Sequence, residues 1–268
     1  NKELQVMGEE LQELNSNLEN KVKERTKEVE NLLKQKDEFV NQLGHDLKSP
    51  LTPLVTLLPI IEGREEDFEL KELLGISIEN VNFMKELVIK TLSLARLNSP
   101  NTKFNIDEVS LSEEVTTIIH TKQHIFIERG ITTENNVPEG LIARADKLRL
   151  DELFDNLITN AIKYSNEDGY LTIDAEEDGD YIKVSIKDTG VGMTKEQLSH
   201  IFEEFYKVDP SRHDLDSSGL GLSICKRIVE KHGGNIWAES PGEGKGTTFY
   251  FTIPALKIEE EEMIVLTH

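Results

Sequence analysis

The chain has few of the residues that form covalent cross-links or thiolate metal sites, since its 268 residues include a single cysteine, Cys225. One cysteine excludes a disulfide scaffold and a cysteine-rich metal site, and it is typical of a reducing compartment. The sequence also lacks any apolar run near the roughly 18 residues of a membrane span. We therefore expect no membrane contact within this segment, and no signal peptide.

Cations are scarce relative to acids, with 30 Lys and Arg against 51 Asp and Glu and a net charge of −21. Nucleic-acid binding needs a basic footprint, so this excess argues against a nucleic-acid partner. The length suffices for roughly two domains. The chain begins at Asn1 inside a helical pattern, and we expect it to be the C-terminal part of a longer protein.

Residues 1–37 carry a pattern typical of a coiled coil, with Lys and Glu on the flanks. The apolar residues with 3-4 spacing are Leu4, Met7, Leu11, Leu14 and Leu18, and a further step of four reaches Val22. This extra step is a stutter, which locally unwinds a supercoil. Two interpretations stay open: an ordinary dimeric rod, or a signal-carrying helix with two registers close in energy.

Residues 38–98 predict a helical hairpin, with helices over 38–61 and about 69–97 and a turn at 62–64. Two helices with such wide apolar faces cannot bury them alone, whereas two copies can pair into a four-helix bundle. We therefore predict a homodimer with His45 on the outer surface of the bundle. The turn cluster at 98–101 is the predicted interdomain linker.

Residues 99–256 read as a mixed α/β domain, so the fold class is α + α/β. The expected helices cover 111–128, 146–164 and 219–232, and the expected strands cover 131–136, 141–145, 170–177, 181–187, 235–239 and 247–253. One-sided apolar strands at hairpin spacing favour a mixed, mainly antiparallel sheet with helices on one face, an α/β sandwich. Residues 257–268 are an acidic tail.

The first segment with chemical character is the run Leu-Gly-His-Asp-Leu-Lys-Ser-Pro-Leu at 43–51. An imidazole is a nucleophile near neutral pH, and the adjacent carboxylate of Asp46 can hold one ring nitrogen of His45 as N–H. The other nitrogen is then free to attack. Pro50 removes a backbone donor, and we expect it to kink the helix about one turn beyond His45.

A second set of residues is suited to a nucleotide. Asn156 and Asn160 lie four apart on one helix face, with Lys163 three further on, and can hold a hydrated Mg²⁺ and triphosphate oxygens. Asp188-Thr-Gly-Val-Gly-Met193 and Ser217-Ser-Gly-Leu-Gly-Leu222 are glycine-rich loops, the second at a helix start that favours phosphate. Each segment alone also fits a surface helix or an ordinary turn.

In this order, and followed by a Gly-Thr-Thr-Phe turn at 246–249, these segments resemble the sensor histidine kinases of two-component systems. The resemblance covers residues from about 36 to 254. It implies a dimerisation and histidine phosphotransfer domain at 38–98 and a catalytic ATP-binding domain at 99–256, with ATP and Mg²⁺ as cofactors. It further implies the cytoplasmic part of a longer sensor, with membrane anchorage left open, and a response-regulator receiver domain as partner.

The resemblance assigns a role to individual residues. His45 is the implied phosphoacceptor, and Asp46 the acid that orients or deprotonates it. Asn160, with Asn156 beside it, is the implied Mg²⁺ ligand. The other implied ATP-site residues are Lys163, Tyr164, the adenine-reading Asp188, the loop residues Gly190, Gly192, Gly219, Leu220 and Gly221, and Thr248.

The sequence departs from the family pattern at two positions. Ser217 replaces the usual first glycine of the second glycine box. Ser49 stands where many relatives carry a Thr or Asn that positions water for dephosphorylation, and its hydroxyl leaves a weak phosphatase activity open. The polar stretch from Tyr206 to Ser218 reads as a mobile lid, with Arg212 either a γ-phosphate contact or a solvated loop residue.

Two other functions of this nucleotide-binding fold are alternatives to the kinase. A clamp or chaperone ATPase usually has a water-activating glutamate one turn before the metal asparagine, where this chain has Asn156. A catalytically silent dimeric scaffold is disfavoured by the intact Asn160, Asp188 and glycine loops. That scaffold, or a phosphatase-biased sensor, remains the alternative.

Overall fold

The computed structural model describes residues 2–208 and 218–256, apart from a number of side chains in the first helix, among them those of Leu43 and Pro50. The predicted acidic tail lies outside these residues. The elements in chain order are α1 (Lys2–Glu62), α2 (Phe68–Leu97), β1 (Asp107–Ser110), α3 (Leu111–Thr121), α4 (Gln123–Glu128), β2 (Thr132–Asn135), β3 (Ile142–Ala145), α5 (Lys147–Tyr164), β4 (Tyr170–Asp178), β5 (Tyr181–Asp188), α6 (Lys195–His200), α7 (Gly221–Lys231), β6 (Ile236–Glu239) and β7 (Thr247–Pro254). In the described part of the chain, none of the helices combines the length and hydrophobicity needed to span a bilayer.

Helices α1 and α2 form the predicted hairpin. The loop between them ends at Asp67, whose carboxylate accepts hydrogen bonds from the N–H groups of Glu69 and Leu70 and caps α2. The helices approach closely at Gly44, where a Cβ atom would lie 2.8 Å from Cδ1 of Leu92. Only glycine therefore allows this packing distance without a shift of the leucine.

The hairpin leaves much apolar surface uncovered. The large apolar side chains with more than two-fifths of their surface exposed include Phe39, Leu47 and Leu54 on α1 and Leu70, Leu73 and Met84 on α2. Exposed apolar side chains along both helices of the hairpin favour an interaction surface there. The four-helix bundle itself remains a prediction.

The α/β domain is built on a five-stranded sheet in the order β2-β4-β5-β7-β6. The β2–β4 pair is parallel and the other three pairs are antiparallel, which confirms the mixed, mainly antiparallel sheet. Alternation places Leu171 and Ile173 of β4 in the core, and α5 packs there through Phe154, edge-on to Phe251 of β7 at 5.5 Å.

Several predicted elements need correction. The helix expected over 111–128 is two helices that break at Lys122, and the helix expected from 219 begins at Gly221. Strand β1 and helix α6 were not predicted, because only Val109 of β1 and no residue of α6 is buried, so neither element has a repeating apolar face. Strand β1 pairs with β3 in a separate two-stranded sheet.

A buried histidine supports the start of α5. Asp146 caps this helix by accepting from the N–H of Arg149, while its own N–H donates to Nε2 of His232 at 3.0 Å. Nδ1 of His232 lies 2.8 Å from the carbonyl oxygen of Ile228, so the neutral ring donates there. Burial lowers the pKa of His232, more than the Ile228 hydrogen bond and Asp146 raise it.

The linker is fastened on both sides. Asp37 of α1 accepts hydrogen bonds from Oγ of Ser99 at 2.7 Å and from Nδ2 of Asn101 at 3.1 Å. Nζ of Lys231, at the end of α7, donates to the carbonyl oxygens of Ser99 at 2.7 Å and Thr102 at 3.2 Å. The linker thus joins the first helix to a helix of the α/β domain through direct hydrogen bonds.

Candidate functional site

A cavity of about 740 Å³ opens beside α5 and the start of α7, within the range of a small-ligand site. Most residues that the sequence predicted for ATP lie in its wall: Asn156, Asn160, Lys163, Tyr164, Asp188, Gly192, Gly219 and Gly221. These residues come from one helix and two loops that are far apart in the sequence. The fold therefore brings together the segments that the sequence singled out.

Three predicted ATP residues lie outside the described cavity wall. Leu220 is fully buried, and neither it nor Gly190 is in the described cavity wall. Thr248 is also outside that wall, whereas its neighbour Thr247 is in it, because side chains alternate along β7. Arg212 lies outside the described residues.

Asp188 is fixed at the end of β5. Its side chain is only 5% exposed, and Oδ1 accepts hydrogen bonds from the N–H groups of Gly190 at 2.8 Å and Thr247 at 3.2 Å. Burial raises the pKa of Asp188, against the lowering by these two bonds. Both bonds use Oδ1, which leaves Oδ2 as an acceptor for a ligand donor in the cavity.

The loop after Asp188 needs glycine for a reason that the sequence did not reveal. Gly192 has φ +65°, and a Cβ there would overlap the carbonyl oxygen of Gly242 in the next loop. A Cβ on Gly190 would overlap the carbonyl oxygen of Tyr164 at the end of α5. These glycines allow the walls of the cavity to pack on each other.

The amide of Asn156 has a fixed orientation. Its Nδ2 donates to the carbonyl oxygen of Glu152, one turn earlier, at 2.8 Å. Its Oδ1 therefore faces the start of α7, where a Cβ on Gly221 would lie 3.1 Å away. Asn160 lines the same cavity one turn further on. An amide oxygen with the orientation of Asn156 Oδ1 fits a hard cation such as Mg²⁺.

In residues 2–208 and 218–256, no cluster of three or more His, Cys, Asp or Glu side chains is arranged to hold a metal ion. Mg²⁺ usually keeps several waters and binds through few protein ligands together with substrate phosphates. The two asparagines therefore fit a metal that arrives with a nucleotide.

The charges of the cavity wall include residues that sequence reasoning missed. The described wall carries the cations Lys90, Lys163 and Lys207 and the acids Glu86, Asp155, Asp188 and Glu243. Glu86 and Lys90 belong to α2, outside every recognised segment, so no sequence signal connected them with a nucleotide. Lys207 is the second residue of the stretch predicted as a lid.

The histidine segment lies on the exposed side of α1. Nδ1 of His45 is 3.4 Å from Oδ1 of Asp46, and the His45 side chain is 79% exposed. Nε2 of Gln42 donates to both oxygens of Asp46 at 3.0 Å. These hydrogen bonds, from Gln42 first and His45 second, lower the pKa of Asp46. Ser49 is exposed one turn later, and α1 continues as helix through Pro50.

Comparison with known proteins identifies the family. The family described as histidine kinase-, DNA gyrase B- and HSP90-like ATPases matches residues 145–257. The sensor histidine kinase WalK of Bacillus subtilis (strain 168) is 34% identical over 241 residues, which are 88% of this chain and 39% of the relative. This chain belongs to the sensor histidine kinases. The sensor protein kinase WalK of Staphylococcus aureus is 32% identical over 87% of this chain and 57% of its own length.

Solved histidine kinases share the arrangement of this sensor histidine kinase. Full-length ShkA in complex with AMPPNP superposes with a TM-score of 0.70 at 25% identity, over 82% of this chain and 46% of that chain. Histidine kinase ThkA in complex with the response regulator protein TrrA gives a TM-score of 0.59 at 25% identity, over 82% and 61%. The chain spans about two-fifths of the Bacillus relative and rather more than half of the Staphylococcus one.

Proposed function

We propose that this chain is an ATP-dependent protein-histidine kinase that phosphorylates His45. One observation carries the proposal: a single chain holds a nucleotide-sized cavity lined by Asn156, Asn160 and Asp188, and an exposed histidine hydrogen-bonded to a carboxylate. A clamp ATPase would need only the cavity, so the histidine–carboxylate pair favours transfer to protein over hydrolysis.

The geometry at His45 suits nucleophilic attack on phosphorus. With the Nδ1–H directed at Asp46, the lone pair of Nε2 is exposed and forms the N–P bond as the bond from phosphorus to the ADP oxygen breaks. The positive charge that develops on the ring is stabilised by Asp46, which its lowered pKa keeps ionised. Mg²⁺, held by Asn156 and Asn160, would neutralise charge on the phosphates during this step.

His45 and the cavity are separate in this arrangement. The described cavity wall includes Glu86 and Lys90 of α2 and no residue of α1. Transfer therefore requires the α/β domain to move against the hairpin, or the cavity of one copy to meet His45 of another. The linker at 98–101 is the segment about which such a movement would take place.

The proposed partners follow from the surface of the hairpin. Its exposed apolar side chains support a homodimer built as a four-helix bundle. The complex of ThkA with the response regulator protein TrrA supports relay of the phosphoryl group from His45 to an aspartate of a response regulator. Ser49, exposed one turn from His45, would support a weak phosphatase activity.

The test is transfer of label from γ-labelled ATP with Mg²⁺ to the purified chain, beside His45→Ala. We expect acid-labile, alkali-stable label in the unsubstituted chain and none in the variant. ATP binding without label would favour the silent scaffold, and release of labelled phosphate without labelled protein would favour an ATPase. Label that persists in His45→Ala would contradict the assignment of the phosphoacceptor.

A further inference from the structure

An ion pair from the helical hairpin forms part of the cavity wall. Nζ of Lys90 lies 2.5 Å from Oε1 of Glu86, one turn earlier on α2, and both side chains line the cavity. Their side chains are 26% and 42% exposed, so the pair is partly shielded from water. A pair of this kind is held more firmly than one on an open surface.

Lys90 lies at the end of the cavity where phosphates would bind. Three residues further along α2, Oγ of Ser93 donates to Oε1 of Glu152 at 2.8 Å, and Glu152 lies one turn before Asn156 on α5. Lys90, Asn156 and Gly221 line the same cavity, and Oδ1 of Asn156 faces Gly221 at the start of α7. Lys90 therefore lies beside the α5 segment that carries Asn156 and near the start of α7, the two elements suited to metal and phosphate.

The electrostatics of this end favour a new partner for Lys90. Asp155 is already paired with Lys122, whose Nζ lies 2.6 Å from its Oδ1. Glu86, in contrast, is a carboxylate that faces the cavity and would repel a polyanion. A lysine on a flexible four-carbon stem can exchange a carboxylate oxygen for a phosphate oxygen with little movement of its backbone.

We propose that Lys90 of α2 contacts the triphosphate of bound ATP, exchanging Glu86 for a phosphate oxygen, so that both domains hold the nucleotide. This inference rests on the proposed function in taking ATP as the ligand. It adds a nucleotide contact from the hairpin that no ATP-binding segment supplies. Bound ATP then stabilises the docking of α2 on the α/β domain.

Calorimetric binding of ATP, ADP and adenosine to the full chain tests this inference. Lys90→Ala should weaken ATP binding about tenfold or more, the usual effect of losing a charge-assisted contact, and leave adenosine binding unchanged. Lys90→Arg should restore part of the loss. Glu86→Gln should tighten ATP binding severalfold, because it removes the competing carboxylate. Lys85→Ala, on an exposed position of the same helix, is the matched control and should bind ATP as the unsubstituted chain does.

The outcomes separate this inference from the proposed function. Unchanged ATP binding by Lys90→Ala, beside an unsubstituted chain that binds ATP, would overturn the Lys90 contact alone. Equal losses for adenosine and ATP, or weaker ATP binding by Glu86→Gln, would show that the ion pair only supports the wall of the cavity. An unsubstituted chain that binds no ATP would overturn both.

Discussion

Asp188 offers a test that separates nucleotide recognition from folding. In Asp188→Asn the amide oxygen can accept the N–H groups of Gly190 and Thr247 as the carboxylate does. The buried charge, whose desolvation raises the pKa of the native aspartate, is removed. We therefore expect the free energy of unfolding to change by less than about 1 kcal/mol. Asp188→Ala leaves two buried N–H groups unpaired and should cost about 1–3 kcal/mol for each.

The raised pKa of Asp188 also predicts the direction in which stability changes with pH. Burial raises the native pKa of Asp188 above the ordinary value of 3.8, so the native state binds the proton more tightly than the unfolded state. Its contribution to stability therefore falls as the pH rises from 3.8 through the native pKa, and is constant above it. Asp188→Asn should lack this pH-dependent part of the unfolding free energy. Urea unfolding measured from about pH 3.5 to about pH 7, a range that begins near the ordinary pKa of an aspartate, tests this.

Asp188→Asn should have a large effect on nucleotide binding, in contrast to its small effect on stability. The family resemblance assigns Asp188 as the acceptor for the adenine amino group, so loss of its charge should weaken ATP binding by about 10- to 150-fold, equivalent to about 1.5–3 kcal/mol. Inosine triphosphate has a carbonyl in place of that amino group, and the new amide of Asp188→Asn can donate to it. The preference for ATP over inosine triphosphate, measured by calorimetry, should therefore collapse in the variant. An unchanged preference, or an unfolding free energy as low as that of Asp188→Ala, would refute this account of Asp188.

Three further predictions concern the loops, the buried histidine and the linker. Gly192→Ala should lower the free energy of unfolding in urea by at least about 1–3 kcal/mol, since the new Cβ overlaps the carbonyl oxygen of Gly242. Gly179→Ala is the matched control: Gly179 has φ +64° and no atom within 4 Å of an added Cβ, so this variant shows the smaller cost of the backbone conformation alone. Because burial lowers the pKa of His232, stability should fall as the pH drops below about 6.5, by at most about 1.4 kcal/mol per pH unit from this group, and His232→Phe should lack that component. Asp37→Ala should speed proteolytic cleavage of the linker severalfold, and an unchanged rate would contradict its role in fastening that segment.

The regular elements of the fold were predictable because their side chains repeat with a clear period. Helix α5 and strands β4 and β5 show their buried faces as 3.6- and 2-residue patterns, and the structure confirms them within a few residues. Strand β1 has no such pattern, since it has four residues and two of them are exposed. Its position depends on pairing with β3, which is a tertiary contact.

In the candidate site, too, residues with a local sequence signal were predictable and residues placed by tertiary contacts were not. Asn156 and Asp188 were predictable, because each lies in a segment whose composition is unusual for its element. The choice of Thr248 over Thr247 depended on the phase of a strand, which a shift of one residue reverses. Lys90 could not be found at all, because it reaches the cavity only when α2 docks on the α/β domain.

The close packing at Gly44 has a consequence for the residue that follows it. Successive residues of an α-helix point about 100° apart, so seating Gly44 against Leu92 turns His45 away from α2 and into solvent. The contact of Gly44 with Leu92 fixes the rotation of α1 about its own axis. Any twist of α1 that moves His45 must also lift Gly44 out of its contact with Leu92. The exposure of His45 and the packing of α1 on α2 therefore change together when α1 rotates about its axis.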